Sequence, residues 1–549
     1  MSENHKGIKY AASFGEQFTF RGMFIGSVGA TILTMSSMYV ALKLGALPWP
    51  IIFVALASMF SLKGLGNTNI NEINVTHTAM SAGAMTAGGL AFTIPGIYML
   101  DSKAELSILA LYAAVLSGVI LGLIFTALIR KYFVVTKELP YPMGQAAAET
   151  LIVGDEGGQK SIKLFASLVI AALFTVVRDW FKAIPDSVIN SSLAGKGIYA
   201  GIWLSPMLLA VGYIIGPLFI GVWFLGAIIG DFVIILGGTS WGWWDVGTAP
   251  GIKSSLGIGL MVGTGIGIII KGIIPKAKEI FGPMFSKNSR GDGFMNLNWA
   301  PMVIVIIALI LTTLCNMGLG ASIIAILGVW LATSMSAQIV GQSGINPMEV
   351  FAIIVLLAAK VVSHLGQVEA FMVAAVVAIA CGLAGDIMND FKAGHILHTD
   401  PKAQWMGECI GGMVGSFVSV AVFYVILAAY GPASFGNPDY FIAPQASMVA
   451  AMVGGIPHLT SFLIGLVLGC LLYVINFPVM TLGLGVYLPF YLSATAFLGG
   501  ALKFIVQKAA PKWDQKGDGM IIASGLLGGE AVVGVIIALI LAITGMSAL

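Results

Sequence analysis

The chain has 549 residues, of which 58% are hydrophobic and only 9% charged, and its formal net charge is +2. Soluble domains carry roughly 25% charged residues, so this composition cannot cover a water-exposed surface, and lipid must be the solvent for most of the chain. The near-neutral balance excludes nucleic acid as a partner. The four cysteines (Cys315, Cys381, Cys409, Cys470) are too far apart for a redox or metal motif and read as small packing residues.

The polar start, residues 1–19, lacks an apolar signal core, and the first apolar run is too long for a cleavable signal. Stretches such as Met302–Leu311 and Ala531–Ile543 are continuously apolar, unlike the alternating segments of a barrel strand. Helices are therefore expected, each needing about 20 apolar residues to cross ~30 Å of hydrocarbon. The first set falls near 20–43, 47–62, 73–99, 105–130, 161–182, 198–214, 217–238 and 254–274. A basic connector, 276–299, follows. The second set falls near 300–318, 320–340, 347–364, 367–388, 404–430, 446–474, 478–505 and 519–545. The expected fold is an all-α polytopic membrane protein of about sixteen helices, some broken or re-entrant, with transmembrane repeats at 20–275 and 300–549.

Lysine and arginine clusters at Lys6–Arg21, Arg130–Lys137, Lys271–Arg290 and Lys392–Lys402 fall on one side in this count, which the positive-inside rule makes cytoplasmic. Both termini are then cytoplasmic and the membrane is the inner or plasma membrane of the cell. Lys503–Lys516, with Lys182 and Lys196, falls on the other side and opposes this assignment.

Four pairs of landmarks recur in order, displaced by 259 to 275 residues. Gly66-Asn-Thr-Asn-Ile-Asn71 can be laid on Gly341-Gln-Ser-Gly-Ile-Asn346. Pro142, Gln145 and Glu149 match Pro401, Gln404 and Glu408. Phe224-Leu-Gly226 matches Phe497-Leu-Gly499, and Gly259-Leu260 matches Gly525-Leu526. Each match is weak, but four in order point to a duplication, parallel or inverted, as many transporters show.

The landmarks place polar residues where spans should be apolar. Asn69, Asn71, Glu72, Asn74, Thr76 and His77 precede a run of small residues, Ser81–Gly89, suited to close helix packing. A carboxylate near mid-membrane costs about 2.5–3.5 kcal/mol on insertion scales and so signals a partner or a function. Two compatible readings exist: a helix cap at Asn69 or Asn71 with Glu72 in the first turn, or a helix broken in the membrane at a substrate site. In the second half Gln342, Ser343 and Asn346 precede Pro347 and Glu349, another helix start whose free amides would suit a substrate carboxylate. Asp386 and Asp390, at i and i+4, end an apolar run from Ala370 to Gly385. Glu149 and Glu408 are further buried-acid candidates, and Glu369 and Glu530 are single acids that could be interfacial. His395 and His398 have no third ligand beside them and read as solvated, so no metal site is expected. Tyr487 and Tyr491 flank Pro489, where the helix ladder must break and a cavity could be lined.

At these same segments the chain resembles the oligopeptide transporter family, as a bacterial-type member with features of its yellow-stripe-like branch. The resemblance rests on Asn71–Ala79 followed by Ala91–Pro95, on Met388-Asn-Asp390-Phe-Lys392-Ala-Gly394, and on Gly485–Pro489 followed by Gly499-Gly500. It implies about sixteen helices and proton-coupled uptake of short peptides or peptide-like metal chelates. The Asn-Pro-Gly and Lys-Ile-Pro-Pro-Arg motifs of the fungal and plant peptide branch are absent, which leaves peptide and metal–chelate cargo both open. A homodimer is a family expectation only.

The expected activity is import of a zwitterionic substrate by alternating access, driven by a proton gradient and no other cofactor. Asn71, Asn74, Thr76, Gln342, Ser343, Asn346, Tyr487 and Tyr491 are the expected substrate contacts. Glu72, His77, Glu149, Asp386 and Asp390 are the expected proton-coupling residues. An intramembrane enzyme is the rival of another class: Gly238-Thr-Ser240-Trp-Gly242 matches a nucleophile pattern in letters, but no strand is expected before it. A passive channel would show simple repeated filters, which two diverged halves do not supply.

Overall fold

The computed structural model describes residues 9–544 apart from 45–50, 154–158, 191–192, 194–197, 269, 272–273, 277–297, 344–345, 347 and 455. Most of the basic connector lies outside the described residues. Each of the sixteen segments read as spans is helical over all or most of its length. Among the described residues, eight helices are long and apolar enough to cross a membrane by themselves, Gln367–Ile396 being buried throughout its apolar window. This is an all-α polytopic membrane protein.

The departures from the expected spans have local causes. The span expected at 446–474 is two helices, Pro444–Gly454 and Leu459–Val474, with Pro457 in the gap. The one expected at 478–505 divides into Val479–Tyr487 and Phe490–Ala509, because Pro489 has no N–H to continue the ladder. The span expected at 198–214 becomes helical only at Pro206, after a small antiparallel hairpin of Ser187–Ile189 with Gly201–Trp203 that the sequence reading did not anticipate.

The chain folds as two compact units, each drawn from both halves of the sequence. The first holds residues 1–41, 49–161 and 276–432; the second holds 42–48, 162–275 and 433–549. The boundary after Ser161 recurs after Pro432, a displacement of about 270 residues. Both members of each landmark pair fall in the same unit.

The helices of the first unit that bear on function are α1 (Phe20–Leu44, in this unit to Ala41), α2 (Ile70–Ala91), α3 (Ile108–Arg130), α4 (Pro142–Val153), α5 (Gly318–Ser343), α6 (Met348–Val362), α7 (Gln367–Ile396) and α8 (Pro401–Tyr430). In the central helix, α7, every residue from Ala370 to Gly394 is buried. Its runs of Ala, Gly and Val let neighbours approach closely, which is what drives association where lipid is as apolar as leucine. A Cβ on Gly118 or Gly122 of α3 would lie about 3 Å from the carbonyl oxygens of Val376 and Ala380.

The same device joins α8 to α2. Gly407, Gly411 and Gly415, four residues apart, face Val75, Ala79 and Gly83, also four apart. A Cβ on Gly411 would run into the Ala79 carbonyl, and one on Gly415 would stand 2.5 Å from the Gly83 Cα. From the other side Gly26 of α1 meets Ala79, a Cβ there lying 2.7 Å from that of Ala79. In the second unit Gly259 and Gly263 interdigitate in this way with Gly465 and Gly469.

Candidate functional site

The polar start of α2 is a built cap. Asn69 is the N-cap residue, its side chain accepting from the Glu72 amide at 2.8 Å. Just before it the backbone turns through the left-handed region at Gly66 and Asn67, residues that tolerate it. The freed carbonyls of Gly66 and Asn67 each accept from the Arg21 guanidinium at 2.8 Å. That guanidinium also grips Glu72, Nε to Oε1 at 2.8 Å and Nη2 to Oε2 at 2.7 Å, while Thr19 and Thr68 hydroxyls complete the shell at 2.6 and 2.7 Å. Both Glu72 oxygens are thus engaged, and the geometry makes this residue a clamp between α1 and α2.

Asn71 and Asn74 tie the same end of α2 to the end of α7. Asn71 Nδ2 donates to the Leu397 carbonyl and the Thr399 hydroxyl, and its oxygen accepts from the Ala11 amide at 2.9 Å. Asn74 Nδ2 reaches Thr399 at 3.0 Å, whereas its oxygen and the buried Thr76 hydroxyl make no hydrogen bond among the described residues. Beside Thr399 a shallow open cavity of about 560 Å³ is lined by Gln17, Arg130, His395, His398 and Asp400. His395 and His398 are exposed, as the sequence suggested.

Three residue pairs, each separated by one helical turn, converge about 10 Å further along α2. His77 and Ser81 come from α2, Asp386 and Asp390 from α7, and Gln404 and Glu408 from α8. All six are at most 4% exposed. One oxygen from each of Asp386, Asp390 and Glu408 lies within 4.8 Å of the others. Ser81 donates to Asp390 Oδ2 at 2.8 Å, and His77 Nδ1 stands 3.6 Å from Oδ1. Gln404 Nε2 donates to the Asp390 carbonyl at 2.6 Å. Among the described residues, neither carboxylate oxygen of Asp386 or Glu408 and neither ring nitrogen of His77 has a hydrogen-bond partner.

Two unit charges at 4.8 Å repel by about 3 kcal/mol even at an effective dielectric constant of about 20. Among the described residues no lysine or arginine pairs with these three acids, so bound protons or a cation would have to neutralise them. The second-half landmark abuts this cluster. Asn346 Nδ2 donates to the carbonyls of Cys381 and Gly382 at 2.9 and 3.3 Å, and its oxygen accepts from Ser336. A Cβ on Gly385, next to Asp386, would strike its amide. The side chains of Gln342 and Ser343 lie outside the described residues, as does that of Glu149 on α4.

The remaining candidates belong to the second unit. Tyr487 and Tyr491 flank the break at Leu488–Pro489, with Tyr491 donating to the Pro438 carbonyl at 3.3 Å and its ring edge-on to Trp203. The Leu488 carbonyl accepts from Lys253, which is paired with Asp231 at 2.7 Å, a buried ion pair that sequence reading missed. The signal was one acid within an apolar span and one lysine just before the next. Glu530 is buried and saturated: Arg178 donates at 2.9 Å, Ser205 at 2.9 and 3.0 Å, and the Met207 amide at 2.8 Å. Gly238–Ser240 follows the helical segment Ile228–Gly237, so the strand that a nucleophile elbow needs is not there.

The model of the OPT oligopeptide transporter protein family matches residues 17–288 and 293–541. A Haemophilus influenzae protein named "Putative oligopeptide transporter" is 26% identical over 92% of both chains. Shorter likenesses, each over 12% of this chain, are to an iron-phytosiderophore transporter and a metal-nicotianamine transporter of Oryza sativa subsp. japonica, at 37% and 33% identity. They cover 9% and 11% of those proteins. With nearly the whole chain matched and the buried polar sites set in a polytopic helical fold, this chain is a member of the oligopeptide transporter family.

Proposed function

We propose that the protein is a secondary active importer of short peptides, coupled to protons through the Asp386–Asp390–Glu408 cluster. The observation that carries the coupling is the set of three buried acids without a basic counter-charge. Such a cluster gains or loses protons as its surroundings are opened to water, and alternating access would open it to each side in turn. His77, one turn from Ser81, is placed to share a proton with Asp390. Asn74 and Thr76 offer the spare buried acceptors for a peptide's ammonium group, with Asn346 beside the acids. Gln342, Ser343 and Asn71 complete the proposed contact set on this unit. The cell membrane, with both termini cytoplasmic, is the proposed location.

The test is tripeptide uptake by purified protein in liposomes under an imposed pH gradient. Accumulation is expected to collapse with a protonophore, and Glu408→Gln is expected to exchange peptide without concentrating it. Accumulation that ignores the gradient would overturn proton coupling. Metal–chelate cargo is the second reading, favoured by the short likenesses to the rice transporters. Uptake of a metal–nicotianamine complex in the same liposomes, with no peptide uptake, would replace the first reading by it.

A further inference from the structure

We propose that the acid cluster is also a binding site for a divalent transition-metal ion, with His77 as its nitrogen ligand and Asp386, Asp390 and Glu408 as its oxygen ligands. Ligand atoms held at about 2.1 Å from one ion stand roughly 3.0–4.2 Å apart, cis to trans. The three carboxylate oxygens lie within 4.8 Å of one another, so a pair at that limit must close by about 0.6 Å to reach the trans separation and by about 1.8 Å to reach the cis one.

The second observation is His77 itself. It comes from a different helix, is fully buried, and makes no hydrogen bond at either ring nitrogen among the described residues. Buried ring nitrogens almost always find a partner. Its Nδ1 stands 3.6 Å from Asp390 Oδ1, too far for a hydrogen bond, and its ring must move toward Asp386 and Glu408 to join the three oxygens on one ion. Imidazole with carboxylates suits Mn²⁺, Fe²⁺ or Zn²⁺, whereas Mg²⁺ and Ca²⁺ take oxygen alone. Ser81, donating to the other Asp390 oxygen, fixes that carboxylate's orientation from outside the site.

The experiment uses the full chain in detergent near neutral pH, titrated with Mn²⁺ and read by loss of the free-ion paramagnetic resonance signal. One Mn²⁺ per chain is expected, displaced by Zn²⁺, with binding weakened about tenfold or more in His77→Gln and in Glu408→Gln. Saturable binding displaced by Zn²⁺ on the unsubstituted chain does not depend on any variant folding. No saturable binding, or binding that both substitutions leave intact in monodisperse protein, would overturn the site. Absent Mn²⁺ binding alongside gradient-driven uptake removes this inference alone; Mn²⁺ binding alongside gradient-independent uptake removes the coupling reading alone.

Discussion

The two units bury acids in opposite ways. In the second, Glu530 is held by Arg178 and Asp231 by Lys253, each carboxylate facing a fixed positive charge. In the first, Asp386, Asp390 and Glu408 face one another, a histidine and a serine. A fixed counter-charge settles the ionisation of an acid and makes it part of the scaffold. An acid neutralised only by what it binds stays exchangeable, and that is what coupling to an ion requires. Glu72, clamped by Arg21, belongs with the first kind although it lies on the same helix as His77.

The comparison can be broken by substitution, starting where the largest loss of stability is expected. Arg178→Met strands the Glu530 charge in a buried setting and should destabilise the second unit by about 3–5 kcal/mol. Thermal unfolding in detergent measures it; a transition within a degree or so of the parent would show that the pair is not fixed. Glu72→Gln should cost about 1–2 kcal/mol by the same measurement, since Arg21 keeps its two carbonyl partners, and should leave gradient-driven uptake in place. Loss of coupling in that variant would move Glu72 into the exchangeable class.

Asp386→Asn and Glu408→Gln should change stability by less than about 1 kcal/mol, because each amide is a neutral isostere of the protonated carboxyl, yet each should abolish accumulation. If they unfold the protein as Arg178→Met does, the distinction between the two kinds of acid fails. Tyr491→Phe should have the smallest effect, about 0.5–1 kcal/mol for one long hydrogen bond, with uptake reduced only if the hydroxyl meets substrate. Uptake kinetics would separate those outcomes.

Much of the framework was legible in the residues. Hydropathy located the helices because lipid forces every backbone group into a helical ladder, and the break at Pro489 followed from its missing N–H group, whereas the one at Pro457 was read through as a single span. The cap at Asn69 was legible for a similar local reason, and Asp386 stood out as a charge ending an apolar run. Glu72 looked the same by that criterion. Its neutralising partner lies 51 residues away, a distance that no local pattern spans.

The sequence by itself determined that this is a many-helix membrane protein with polar breaks and a few buried acids, since those follow from transfer of side chains and backbone into lipid. Which acids meet each other, and which meet an arginine, was decided only by tertiary packing. The glycine ladder at 407, 411 and 415 draws α8 onto α2 and thereby brings Glu408 to Asp386, Asp390 and His77. Contacts between glycine and backbone depend on shape, and shape exists only once the helices are side by side.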